Sequence, residues 1–351
     1  MKIGILFDGL SAASADQLIT GTVDAVSAEL ASEGNEIVRI PASPDARWVD
    51  KLRRARVDLV FNLCESIDGV AALEPPVISV LELLGIPYSG SSSWTTSLCL
   101  RKHVVNAALE RAGLPVPKFA VVRRGGAIPS VGFPAICKPA AEDASIGVEQ
   151  RSVVRTTRQL VERVEAMLER WDEVLVQRYV EGREVNVGIL GDAVLPIAEI
   201  DFGRMPKGMW RIVTYRSKWE TGSDEDLGSA PRCPARLPAS VASQLRRVAV
   251  AAWWIAGGSG YGRVDFRIDD RGKPWILEVN ANPDISPDAG LARMARVAGI
   301  DYGALVRRIC EIGLQRSRSG QTTAQHWALA QRLSGVAAVA ATEPDLFSGE
   351  A

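Results

Sequence analysis

GYGRVDFRIDDRGKPWILEVNANPD, residues 260–284, is the stretch on which the reading of this chain turns. Two apolar runs with charges set among them flank the segment DDRG, the pattern of a hairpin. Taking Arg271 and Gly272 as a two-residue loop sets Asp265 opposite Glu278 and Arg263 opposite Asn280. The period of two along a strand then puts all four side chains on one face, with the carboxylates about 5 Å apart. Facing like charges destabilise such a pair unless one is protonated or a cation neutralises them. Two hard carboxylate donors and an Asn amide suit magnesium, which takes a few carboxylates together with substrate phosphates. Charges on a solvent-facing strand are the alternative that the hairpin leaves open.

Upstream, FPAICKPAAEDASIGV (133–148) sets Lys138 at the end of an apolar strand and follows it with a loop of small and polar residues that ends at Gly147. Such a loop brings backbone N–H groups close to phosphate oxygens while the lysine supplies a point charge, although a strand-end lysine also serves structure alone. The chain has no G-x-x-x-x-G-K-[ST] and no convincing G-x-G-x-x-G, which disfavours a P-loop kinase and a dinucleotide-binding dehydrogenase. VLVQRYVEGREVNVGILG (174–191) reads as a strand ending at Gln177 to Val180, a Glu181-Gly182 turn, and a second strand opened by Glu184. If a nucleotide binds here, backbone around Tyr179 and Val180 meets the base edge and Glu184 a ribose hydroxyl.

The rest of the chain frames these segments. Its 351 residues fit two or three domains, and 47% hydrophobic with 24% charged residues is ordinary for a globular protein. Forty-one Lys and Arg against 42 Asp and Glu leave a net charge of -1, so no global field recruits nucleic acid or anionic lipid. The apolar start MKIGILFDGL meets Asp8 too early for a signal sequence, and no run approaches the ~18 apolar residues of a membrane span. A cytoplasmic protein is expected. Five scattered cysteines without a C-x-x-C pair, and only His103 and His326, leave little room for a disulfide framework, a zinc site or a His-based triad. Chemistry must rest on carboxylates, Lys, Arg and backbone. Residues 1–95 alternate strand and helix as an open, mostly parallel α/β sheet does; 96–185 read as a small α+β unit; 186–315 are strand-rich before closing helices; 316–351 read as a weakly ordered tail. Trp253 and Trp254 fall within a helix and read as core, and His103 as a helix-face residue beside Lys102.

KPAAEDASIGV, VLVQRYVEGREVNVGILG, TYRSKWE and the hairpin, in this order, resemble the ATP-grasp superfamily and, within it, the D-alanine–D-alanine ligases. FNLCES, LELLGIPYSGSS and RKHVVNAALERAGLPVPKF extend the resemblance over residues 1–315. It implies an ATP-grasp fold: a parallel-sheet substrate-side domain, a central α+β lid, and a C-terminal mixed-sheet domain for ATP and metal. It implies that Lys102 and Lys138 reach ATP phosphates, with Lys218 of YRSKWE a third phosphate-side lysine. Glu142 and Ser145 match the loop that covers the phosphates. Gln177, Tyr179, Val180 and Glu184 match the adenine hinge and the ribose-binding acid, although the family more often has Glu where Gln177 stands. Asp265, Glu278 and Asn280 match ligands of magnesium, two ions in all, with manganese as a substitute. Arg263 matches the arginine that holds the reacting phosphoryl and oxyanion. The implied partners are small amino-acid carboxylate and amine substrates and, through the first domain, a second copy of the chain; neither nucleic acid nor membrane is implied.

The amino-acid side departs from the family pattern. The loop after the first strand reads DGLSAASADQLITG, so the acid that holds the first substrate's ammonium falls near Ala15, with Asp16 one step away. Asp143-Ala144 replaces Gly-Ser in the phosphate loop, and Ser217-Lys218-Trp219 replaces A-K-Y. Ala289 or Gly290 stands where a Ser hydroxyl binds the second substrate's carboxylate. Asp284 and Asp288 are candidates for reading an amine, or are loop acids and caps; Glu65 and Glu74 face substrate or solvent after the third strand. The expected function is ATP-dependent joining of a carboxylate and an amine from small amino-acid substrates other than two D-alanines. An authentic D-alanine–D-alanine ligase of peptidoglycan synthesis is the runner-up, and a non-catalytic nucleotide-binding or regulatory protein the alternative of another class.

Overall fold

The computed structural model describes residues 1–9 and 17–318, and everything below concerns those residues. β1 (Lys2–Asp8), α1 (Gln17–Ser32), β2 (Glu36–Ala42), α2 (Arg47–Ala55), β3 (Leu59–Asn62) and α3 (Glu74–Leu83) build a parallel sheet in the order β2-β1-β3. As the middle strand, β1 is buried at every residue from Ile3 to Asp8, which is why KIGILFD reads as a nearly unbroken apolar run. Alternate side chains serve two cores. Ile3, Ile5 and Phe7 pack with Val23, Val26 and Leu30 of α1, while Leu6 and Ile40 pack with Trp48 and Leu52 of α2 and Val77, Ile78 and Leu81 of α3.

After α4 (Ser93–Leu100) and α5 (Lys102–Arg111), a second sheet forms from β4 (Phe119–Arg123), β5 (Ala135–Pro139), β6 (Val153–Val154) and, beyond α6 (Thr157–Leu168), β7 (Glu173–Arg178). Its order is β4-β7-β5-β6, antiparallel throughout. Thr156 caps α6 by accepting from the N–H of Gln159 at 3.3 Å. Leu160, Val164 and Met167 of α6 cover one face of this sheet through Val122, Cys137, Val174 and Val176. The opposite face, carrying Ile136, Lys138 and Gln177, is turned to a cleft.

The third sheet holds β8 (Arg183–Leu190), β9 (Ala193–Val194), β10 (Ala198–Asp201), β11 (Ala230–Arg232), β12 (Tyr261–Ile268) and β13 (Pro274–Asn280). Interspersed are α7 (Tyr215–Trp219), α8 (Asp224–Leu227) and α9 (Ala239–Ile255); α10 (Gly290–Val297) and α11 (Tyr302–Arg318) close the described chain. The order is β11-β10-β8-β12-β13, with β9 on β8. Where a mixed sheet was expected, every described pair is antiparallel; for β8 with β9 and β12 with β13 the short connecting turns permit nothing else. Leu291 and Met294 of α10 and Leu305, Val306 and Ile309 of α11 return to the first sheet and share the core of β1 and α1.

Three details of the sequence reading change. The hairpin connection is Asp269–Lys273 rather than Arg271-Gly272, since Ile268 pairs with Pro274 and the Asp269 carboxylate accepts from the N–H groups of Arg271 and Lys273 at 3.0 and 2.9 Å. A bulge between Asp265 and Phe266 on one strand, opposite Leu277, shifts the register back. The two displacements cancel, so Asp265 still faces Glu278 and Arg263 faces Asn280. Trp253 is buried in the core beneath the third sheet, but Trp254 is 38% exposed, because consecutive helix positions point about 100° apart. The tail does not begin at 316: α11 runs through Arg318, and Arg316 donates to the carbonyls of Tyr88 at 2.9 Å and of Gly90. The remaining tail lies outside the described residues.

Candidate active site

One cleft gathers every residue assigned above to nucleotide, metal or catalysis. Lys102, Lys138, Glu142, Ser145, Gln177, Tyr179, Val180, Glu184, Lys218, Arg263, Asp265, Glu278 and Asn280 all line it. Strand periodicity delivers most of them: Lys138 and Gln177 point from the second sheet, and Glu184, Arg263, Asp265, Glu278 and Asn280 from the third. The bulge sets two consecutive side chains, Leu277 and Glu278, on the cleft face. Gly182 permits the turn between the sheets, since a Cβ there would lie 1.9 Å from the carbonyl oxygen of Ile268.

Charge is matched residue by residue on this side. Arg263 grips Asp265 with two hydrogen bonds, at 2.7 and 2.9 Å, and Asn186 and Asn280 donate to the same carboxylate at 2.7 and 2.9 Å. Lys102 lies 2.7 Å from Glu278 and 3.1 Å from Asp143, and also donates to the carbonyl of Glu142. Burial alone raises the Glu278 carboxyl, but Lys102, Lys138 and Lys218 together overcome it and hold the group down at about 2. Burial and Glu278 push the Asp143 carboxyl up against the pull of Lys102. Glu184 pairs with Arg267 at 2.9 Å, yet burial still raises its carboxyl. Lys138 is lowered by burial, and Lys218 by its enclosed place in the cleft and by Arg263.

The loop over the cleft is held by other segments. Ala144 and Ser145 both lie in the left-handed region, with φ of 53° and 60°, a cost of about 1–2 kcal/mol per residue. Trp219 donates to the carbonyl of Ala144 at 3.1 Å and Trp171 to the Glu142 carboxylate at 3.1 Å. Thr214 caps α7 by accepting from the N–H of Ser217 at 3.1 Å, which presents Lys218 to the cleft beside this loop.

The residues assigned to substrate are placed differently. Glu74 opens α3, is 4% exposed, and accepts from the Asn282 amide at 3.0 Å; Asn282 in turn accepts from the Tyr261 hydroxyl at 2.7 Å. Burial, with Asp143 and Glu65 nearby, pushes the Glu74 carboxyl well above its ordinary range. Glu65 is exposed at its surface but surrounded by protein, and that enclosure, together with Asp284 and Asp143, pushes it up to about 8. Asp284 is exposed and accepts from the N–H and hydroxyl of Ser286 at 2.8 and 2.9 Å, a local turn rather than a helix cap. Asp288 is exposed, and its carbonyl accepts from Arg293 at 2.7 Å. Asp16 and the whole loop around it lie outside the described residues. His103, 20% exposed, stands on α5 4.0 Å from Glu173, away from the cleft lining.

Residues 108–311, more than half of the chain, match the family described as D-ala D-ala ligase C-terminus. The chain belongs to the D-alanine–D-alanine ligase family. It is 33% identical over 313 residues to a D-alanine–D-alanine ligase of Geobacter sulfurreducens, covering 88% of this chain and 92% of that one. It is also 31% identical over 263 residues to an uncharacterized protein, y4sG, of Sinorhizobium fredii, covering 74% and 75% of the two chains. The crystal structure of a D-alanine–D-alanine ligase from Bacillus anthracis complexed with ATP superposes with a TM-score of 0.74 at 25% identity, over 91% of this chain and 99% of that one. The fold is the ATP-grasp fold, and the chain is a ligase of the class that forms carbon–nitrogen bonds.

Three further side chains of this ligase line the cleft without having been singled out as functional. Arg267, 2% exposed, pairs with Glu184, donates to the carbonyls of Gly182 and Arg211, and stacks 5.4 Å from the rings of Tyr179 and Phe202. Its signal was the period of two in Arg263-x-Asp265-x-Arg267, and Asn186 follows Glu184 by the same rule. Asp143 carried no periodic signal, because loops have none. Asp265, Glu278 and Asn280 offer hard oxygen donors on one face, a chemistry that fits a divalent ion keeping phosphate and water ligands. Among the described residues no three Asp, Glu, His or Cys side chains form a metal-holding group, and Arg263 and Lys102 supply the positive charge beside the two carboxylates.

Proposed function

We propose that this chain joins two small amino-acid-like substrates, a carboxylate donor and an amine acceptor, at the expense of ATP and through an acyl phosphate. The observation that carries the reading is the convergence of Arg263, Asp265, Glu278 and Asn280 with Lys102, Lys138 and Lys218 in one cleft. Binding ATP needs the lysines; a guanidinium beside the carboxylates is what transfer of its γ-phosphoryl needs in addition. A carboxylate is a poor electrophile until phosphorylated. The donor carboxylate attacks the γ-phosphorus, ADP leaves, and the amine then attacks the acyl carbon and expels phosphate, leaving an amide. Lys102, Lys138 and Lys218 spread the phosphoryl charge, and Arg263 meets the charge that develops on the transferred group and on the tetrahedral oxyanion. Gln177 and the backbone at Tyr179 and Val180 take the base, Glu184 the ribose, and Glu142 and Ser145 belong to the loop that covers the phosphates. Asp265, Glu278 and Asn280 hold Mg2+, which neutralises phosphate charge when bound.

We take residues 96–185 as the lid that excludes water from the acyl phosphate, between a substrate-side unit at 1–95 and an ATP-binding unit at 186–315. On the substrate side, Asp16, Glu74, Asp284 and Asp288 are the acids offered to an ammonium group. A homodimer through residues 1–95 is the assembly that family membership implies, and sedimentation velocity reads it directly. No helix among the described residues is long and apolar enough to cross a membrane.

The test is incubation of the full chain with ATP, Mg2+ and pooled D- and L-amino acids, following phosphate release and the masses of new amides. The names of the relatives make D-alanine the first substrate to try. D-Ala-D-Ala as the main product assigns peptidoglycan synthesis, and a different amide accompanied by phosphate identifies a diverged ligase. ATP binding without substrate-dependent phosphate release across the panel counts against catalysis and favours a regulatory nucleotide-binding role.

A further inference from the structure

Gln177 sits in the middle of the second sheet, its backbone paired with Phe119 on one side and Ile136 on the other. Its side chain is 1% exposed and lines the cleft with Ile136, Tyr179 and Ile212, on the face of the second sheet that also carries Lys138. Yet Nε2 has no hydrogen-bond partner. A buried amide nitrogen left unpaired is costly, so the site calls for a group that the protein does not supply. Neighbouring backbone is already committed: the N–H of Arg178 donates to Lys118 at 2.8 Å and that of Tyr179 to Pro134 at 2.9 Å. Of the side chains here, the Gln177 amide is the one offered to a ligand, beside the backbone at Val180.

An amide differs from a carboxylate in one respect that matters for a purine. It carries both a donor and an acceptor, whereas an ionised carboxylate only accepts. Because no protein group holds Nε2, nothing locks which end of the amide faces the cleft. Turned one way, Oε1 accepts from a 6-amino group; turned the other, Nε2 donates to a 6-oxo group. A glutamate at this position would accept from the first and repel the second. We infer that Gln177 reads position 6 of the purine and makes the base site accept both 6-amino and 6-oxo nucleoside triphosphates. This deepens the proposed function and rests on its placement of the nucleotide.

Binding of ATP and inosine triphosphate to the full chain with Mg2+, measured by titration calorimetry, tests it without knowledge of the amino-acid substrates. The inosine nucleotide is expected to bind within about tenfold of ATP. Gln177→Glu should raise the ratio of the two Kd values at least tenfold, and since every other contact is common to both proteins, the change in the ratio isolates residue 177. Gln177→Met, which keeps the size and removes both hydrogen-bonding groups, should weaken both nucleotides by similar factors. An unchanged ratio in Gln177→Glu, or both Kd values within twofold in Gln177→Met, overturns the inference; should the glutamate variant not fold, the methionine variant decides alone. Failure of ATP itself to bind the unaltered chain overturns the nucleotide-site reading instead.

Discussion

The two ends of the proposed active site are built on opposite electrostatic arrangements. At the end proposed for the nucleotide the strand acids each meet a cation: Glu184 with Arg267, Asp265 with Arg263, Glu278 with Lys102. At the other end acids meet acids: burial raises the carboxyls of both Glu65 and Glu74, with Asp284 and Asp143 adding to the first and Asp143 and Glu65 to the second. The first end is organised in advance for a polyanion. The second holds carboxyls that burial and acidic neighbours keep protonated to a higher pH, and an incoming ammonium, the charge that an amino-acid substrate carries, would draw them into the charged form.

Removing cations should therefore do most damage at the first end. Arg263→Ala is expected to lower kcat by about 10²–10³-fold or more while the thermal transition stays cooperative, because Asn186 and Asn280 still satisfy Asp265. Near-normal turnover in that variant would break the proposed chemistry. Arg267→Met should cost about 3–5 kcal/mol of stability by leaving Glu184 buried and uncompensated, and adding Glu184→Gln should recover much of it. Denaturant unfolding of the two variants measures both values, and equal stability would show the pair to be dispensable.

Acid sharpens the same contrast. Glu278 is held at about 2 against an ordinary 4.5, so its contribution to stability is full above about 4.5 and is lost as the pH falls toward 2. That contribution is about 3 kcal/mol, and Glu278→Gln should flatten the acid limb of a stability-against-pH curve. Glu74 behaves oppositely: its raised carboxyl binds a proton more tightly folded than unfolded, so stability falls as the pH rises above the ordinary glutamate range. Glu74→Gln should therefore stabilise the chain at pH 8, by about 1 kcal/mol, while leaving it unchanged at pH 4. A loss of stability at pH 8 would mean that the Asn282 contact outweighs the buried charge.

The nucleotide end was legible because strands carry it. Glu184, Arg263, Asp265, Glu278 and Asn280 announce their common face through the period of two, and Lys138 and Gln177 through the strand that precedes each loop. The substrate end rests on loops and helix starts. Glu74 reads as a surface acid until α3 and the third sheet come together and Asn282 reaches it from 208 residues away. No local pattern encodes a contact of that separation.

By itself the sequence determined the order of elements, the ATP-grasp family and the chemical kind of the cleft, since alternation and motif spacing are local quantities. It placed Asp265 opposite Glu278 through a loop that the chain does not use. Only the tertiary structure decided that a bulge at Leu277 cancels the longer turn, that α10 and α11 return to the first sheet, and that the Gln177 amide is buried without a partner. Each depends on which surfaces are packed against one another. Burial, which sets the cost of an unpaired amide or an uncompensated carboxylate, exists only once they are.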